Sequence, residues 1–153
     1  MNEPRLLVVD DNPTNLKLAC EVLEWSGYDV SIAPDAEQAL KAIEQSPPDL
    51  ILMDIGLPGM DGLTLTRKLK SGKATRHIRI VALTAFAMKG DEQRVIDAGC
   101  DAYISKPIDT RVLAAQVALC LGEDERILKP INTRRLTAQV SEVVEKLNWK
   151  EQP

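Results

Sequence analysis

The sequence predicts a doubly wound α/β domain, a five-stranded parallel sheet in the order 2-1-3-4-5, followed by a short C-terminal helical extension. Three observations point to it. Over residues 1–122, short aliphatic runs alternate five times with amphipathic stretches, the pattern of parallel strands joined by crossover helices. The aliphatic runs are mostly continuous rather than alternating, as strands covered on both faces require. Right-handed crossovers joining five such units make 2-1-3-4-5 the common order at this size.

The elements follow in sequence. The first strand is expected at Arg5 to Val9, and Asn12 then caps a helix whose first residue is Pro13. Leu16, Cys20 and Leu23 form its apolar face, and Gly27 sits where a left-handed residue ends it. Asp29 to Ile32 is the second strand. Asp35, with Gln38 three residues on, resembles a capping box opening a second helix that turns Leu40 and Ile43 to the sheet. Leu50 to Met53 is the third strand and Gly62 to Lys70 the third helix. Arg79 to Leu83, a helix over Gly90 to Ala98, a strand over Ala102 to Ser105 and a fifth helix from about Thr110 to Leu121 complete the unit near Gly122.

A chain of 153 residues can bury a core without disulfides or structural metal. With 44% hydrophobic but only 3% aromatic residues, that core is aliphatic. No apolar run approaches the roughly 18 residues of a membrane span, and Met1 to Arg5 lacks a signal-peptide pattern, so the expected location is cytoplasmic with no membrane partner. Cys20, Cys100 and Cys120 lack CxxC spacing and read as reduced thiols serving as small hydrophobes. A net charge of −4 opposes nucleic acid as the main partner.

Four of the five strands end on polar residues that an aliphatic core would not choose. Asp10 and Asp11 follow the first strand, Asp54 the third, Thr84 the fourth and Lys106 the fifth. In the order 2-1-3-4-5 the first and third strands flank the switch point, so the three carboxylates converge there, with Thr84 and Lys106 alongside. Each alone would suit a turn or a cap, but the joint pattern describes a site. Crowded carboxylates repel unless they share a proton or a cation, and an all-oxygen set suits magnesium, with room left for a phosphate oxygen. That combination fits phosphoryl transfer, with Asp54 as nucleophile, the strand-one pair for the metal, and Lys106 and Thr84 for the phosphoryl oxygens. His77, the single histidine, lies in a polar loop and reads as solvated.

The segments LLVVDDNPTN, LILMDIGLPGMDG, IVALTAFAMKGDE and AGCDAYISKPID resemble the receiver domains of two-component response regulators over about residues 4–122. The resemblance implies a flavodoxin-like fold and a phosphorelay receiver, not an enzyme acting on external substrates. It implies magnesium bound by Asp11, Asp54 and the backbone carbonyl of Gly56, with Asp10 direct or through water. It also implies a cis Lys106–Pro107 bond, and a switch that couples Thr84 to Tyr103. The phosphoryl group would come from a histidine kinase or a histidine phosphotransfer protein, and the signal would pass to a downstream protein target. Within the family the chain is similar to DivK-type single-domain and hybrid-kinase-associated receivers. The alternative function is a magnesium-dependent aspartyl-phosphate phosphohydrolase, which needs a second acid two residues past the nucleophile, where this chain has Gly56.

Residues 123–153 form the extension. Ile127 to Val140 (ILKPINTRRLTAQV) repeats Ile104 to Val117 (ISKPIDTRVLAAQV) at ten of fourteen positions, without acidic strand ends of its own. A helix over about Thr133 to Leu147 would align Leu136, Val140, Val143 and Leu147 on one face. Such a face needs cover, either from its own domain or from a partner, including a second subunit through exchange with the fifth helix.

Overall fold

The computed structural model describes residues 3–57, 60–84 and 91–122, apart from the side chains of Asp91 and Glu92. The strands are β1 (Arg5–Val9), β2 (Asp29–Ala33), β3 (Leu50–Asp54), β4 (Arg79–Thr84) and β5 (Ala102–Ser105). They pair in parallel in the order β2-β1-β3-β4-β5, as the alternating pattern predicts. The helices are α1 (Pro13–Trp25), α2 (Ala36–Gln45), α3 (Gly62–Ser71), α4 (Asp91–Asp97) and α5 (Leu113–Cys120). The expected helix over about Thr133 to Leu147 lies outside the described residues.

Strand pleating divides the core into two aliphatic layers, because successive side chains point to opposite faces. Leu7, Val9, Ile51 and Met53 face one layer with Ala39, Ile43, Leu65 and Leu69. Leu6, Val8, Leu50 and Leu52 face the other with Leu16, Ala19, Leu23, Leu113 and Val117. β3 is buried at every residue, whereas β2 is largely exposed because it forms one edge of the sheet. Its sequence, DVSIA, is correspondingly the least apolar of the five.

The helix ends follow their capping chemistry. Asn12 accepts from the N–H groups of Thr14 and Asn15, Pro13 opens α1, and Gly27 beyond its end has φ +99°. The Asp35 carboxylate accepts from Gln38 N–H. The buried face of α1 is Leu16, Ala19 and Leu23; Cys20 is half-buried at its border, which corrects the expected stripe. α5 starts at Leu113, later than the expected Thr110, because a turn in which Val112 N–H donates to Asp109 O precedes it.

The cysteines are all free thiols. Burial pushes the Cys120 thiol up to about 12, so it stays protonated as a core hydrophobe, and burial also raises the thiol of Cys20.

Asp61 caps α3, its Oδ1 accepting the Thr64 N–H at 2.8 Å. That hydrogen bond holds the carboxyl below the usual range. Asp61→Ala is expected to cost about 1 kcal/mol in urea unfolding at neutral pH. A depressed folded-state pKa stabilises above the unfolded value and loses that contribution as pH falls through the folded one. The gap between wild type and variant should therefore narrow in acid; a gap that widens would assign Asp61 another role.

Candidate functional site

The site forms where β1, β3 and β5 end. Asp10 follows β1 directly, and its N–H donates to Ala33 O at 3.1 Å, which fixes the backbone as the strand runs out. Its side chain is fully buried. Oδ1 accepts the Asn12 N–H at 2.9 Å, and Oδ2 accepts from Asn15 Nδ2 at 3.2 Å. Burial pushes the Asp10 carboxyl up and the charge of Asp54 adds to the rise, while the Asn12 N–H and the Lys106 ammonium oppose it.

Asp54 ends β3, between β1 and β4 in the sheet. Its Oδ1 accepts the Gly56 N–H at 2.9 Å and lies 3.2 Å from Lys106 Nζ. The same ammonium lies 3.3 Å from Asp10 Oδ2, so one cation bridges two acids. Lys106 is held by its backbone N–H, which donates to Thr84 O at 2.7 Å, and a cis bond to Pro107 follows it. β4 and β5 thus set the lysine, and β1 and β3 set the acids.

Carboxylate oxygens of Asp10, Asp11 and Asp54 lie within 4.8 Å of one another. Asp11 is exposed and Asp10 buried, so the cluster opens to solvent on one side. An all-oxygen set of this compactness fits a hard divalent cation. Gly56 is exposed beside it, and a Cβ there would lie 3.6 Å from Asp54 Oδ1, in ordinary contact.

Asp10, Asp11, Asp54 and Lys106 therefore come together as their strand-end positions predict. Thr84 is buried at the end of β4 and joins them through the Lys106 backbone. Tyr103 is buried on β5 in the layer holding Val95 and Ala98, with β4 between it and the Asp54 strand. His77 is exposed at the opposite end of the sheet, in an open cleft with Arg5, Asp49 and Arg79.

Two contributors are additional to the strand-end pattern. Asn15 braces Asp10 from the first turn of α1, five residues on, within one turn of the cap that the sequence does reveal. Gly62 lies against the backbone of Asp54: a Cβ on it would collide with Asp54 O and stand 2.7 Å from Ile55 Cα. The sequence marks it only as a helix start.

Comparisons with known proteins agree with this arrangement. The family model of the response regulator receiver domain matches residues 6–118. The polar-differentiation response regulator DivK of Brucella ovis is 44% identical over 118 residues, 77% of this chain and 96% of that protein. Among solved structures, the receiver domain of a signal transduction histidine kinase from Syntrophus aciditrophicus superposes with a TM-score of 0.72 at 33% identity, covering 78% of this chain and 90% of that one. The receiver domain of a sensor histidine kinase from Pseudomonas aeruginosa, solved with a magnesium ion coordinated in its active site cleft, gives 0.71 at 34% identity over 79% and 99%. No described helix is long and apolar enough to cross a membrane. With the matched stretch running from inside β1 into α5, this chain belongs to the receiver domain family of two-component response regulators.

Proposed function

We propose that Asp54 accepts a phosphoryl group from a phosphohistidine of a histidine kinase or histidine phosphotransfer protein, and that the modified domain then signals to a downstream protein. The observation that carries this reading is the bridge from Lys106 Nζ to both Asp10 and Asp54 at the mouth of the three-acid cluster. A purely structural domain has no use for three converging acids and a shared cation at the strand ends, the usual address of α/β sites.

In the transfer, an Asp54 carboxylate oxygen forms the bond to phosphorus as the bond from phosphorus to the partner imidazole nitrogen breaks, and the imidazole keeps the electron pair. The product is an acyl phosphate. Asp10, Asp11, Asp54 and the Gly56 carbonyl would hold magnesium, which offsets charge on the transferring group. Gly56 N–H and Lys106 both address Oδ1, orienting the carboxylate before attack. Lys106 then exchanges its carboxylate partner for phosphoryl oxygens, and the Thr84 hydroxyl donates to them only once the group is present. Because the Thr84 carbonyl already accepts the Lys106 N–H, movement at Thr84 is tied to β5, which carries Tyr103. That makes the pair a switch between site and surface.

Intact-mass measurement after incubation with acetyl phosphate and magnesium tests this. One phosphoryl adduct supports it; no adduct, or rapid hydrolysis of many phosphate esters, overturns it in favour of a structural module or a phosphohydrolase. Lys106→Ala is expected to slow adduct formation on the order of a hundredfold, as loss of one charge-stabilising donor does. An unchanged rate would remove Lys106 from the transfer.

A further inference from the structure

We propose that Asn15 is a positioning residue of this site: its side-chain amide keeps the buried carboxylate of Asp10 paired, so that Lys106 is free to leave Asp10 for the incoming phosphoryl group. This role rests on the reading of Asp54 as the phosphoacceptor. Asp10 is fully buried, so its charge must be met by the protein's own donors. Its Oδ1 accepts the Asn12 N–H at 2.9 Å. Its Oδ2 has two donors, Asn15 Nδ2 at 3.2 Å and Lys106 Nζ at 3.3 Å. The lysine is shared, because Asp54 Oδ1 lies 3.2 Å from the same nitrogen. Once Asp54 carries a phosphoryl group its own charge is replaced by that of the phosphoryl oxygens, and the ammonium follows the charge. Among the described residues, Asn15 is then the donor left on Oδ2. Without the amide, Lys106 would be the donor on which a buried oxygen depends, and its departure would leave that oxygen unsatisfied.

The local sequence is arranged for this task. Asn12 Oδ1 accepts the N–H groups of Thr14 and Asn15, while the Asn12 N–H holds Asp10 Oδ1. Asn15 Nδ2 then returns to Asp10 Oδ2, which closes a ring of acid, helix cap and amide. The start of α1 is served by Asn12 and Pro13, so the helix does not require the Asn15 side chain. A neutral amide also suits the position chemically. It donates to the acid without bringing a second cation to compete with Lys106 or with magnesium.

Two double-mutant cycles between Asn15 and Lys106 test the proposal. Asn15→Ala keeps the backbone N–H that Asn12 caps, and Asn15→Asp keeps the size of the side chain but loses the donor. At saturating magnesium, each is expected to slow adduct formation from acetyl phosphate by about tenfold. In the Lys106→Ala background, Asn15→Ala should have almost no further effect, since the lysine it releases is gone. Thermal melts without magnesium should show the opposite coupling. Removing both donors leaves Asp10 Oδ2 unsatisfied, so the double variant should melt lower than the two single shifts predict. Equal slowing by Asn15→Ala in both backgrounds would overturn the proposal, as would melting shifts that simply add. If wild type forms no adduct, the reading of Asp54 falls and takes this role with it. If wild type forms the adduct and Asn15→Ala matches its rate, only the role of Asn15 falls.

Discussion

Asp54→Asn is expected to abolish the adduct formed with acetyl phosphate and magnesium, without loss of the fold. The substitution keeps the shape of the side chain and its acceptor for the Gly56 N–H, but removes the oxygen nucleophile. It also removes a negative charge beside Asp10, which is fully buried and whose carboxyl is pushed up by burial and further by Asp54. With one repulsive neighbour gone and Lys106 still 3.3 Å from Asp10 Oδ2, the metal-free variant should melt no lower than wild type. The stabilisation that magnesium confers should shrink, because one of three clustered carboxylates is gone. Intact mass and thermal melts with and without magnesium read all three quantities. An adduct that persists in Asp54→Asn moves the phosphoacceptor elsewhere, and a melt that falls steeply makes Asp54 a structural residue.

The strand ends were the legible part of this molecule. Asp10, Asp11, Asp54 and Lys106 converge because a parallel sheet collects every strand's carboxyl end on one edge, so residue type, position after an apolar run and strand order suffice to bring them together. Asn15 was less legible, since its approach to Asp10 depends on the angle at which α1 leaves β1 rather than on any periodic pattern. The apolar face of α1 shifted from Cys20 to Ala19 for a related reason. Residues three and four apart are nearly equivalent in a helical pattern, and packing against β2 and α5 decides between them. The late start of α5 reflects local competition: Asp109 accepts the Arg111 N–H and engages the same guanidinium, holding a turn where helical periodicity alone would extend the helix.

Gly62→Ala is expected to be the most damaging single methyl in the described fold, and the reason lies in the backbone it meets. A Cβ at Gly62 would collide with Asp54 O and stand 2.7 Å from Ile55 Cα and 2.9 Å from Asp54 C. None of these atoms ends a flexible side chain, so relief requires α3 to move from the sheet or the end of β3 to shift. Gly62 N–H also donates to Ile55 O at 3.4 Å, so the close approach is part of how α3 is anchored. Overpacking of this kind costs about 3 kcal/mol, which corresponds to a melting temperature lower by on the order of 10 °C for a chain of this size. Whatever shift relieves the clash moves the Asp54 backbone, so adduct formation should slow as well, even in molecules that remain folded. Gly56→Ala is the contrast: its Cβ meets Asp54 Oδ1 at 3.6 Å, an ordinary contact, and stability should change by less than about 1 kcal/mol. Equal melts for the two variants would mean that α3 does not press on the phosphoacceptor strand; a selective loss at Gly62 would show that the third helix sets the position of Asp54 through backbone contact alone.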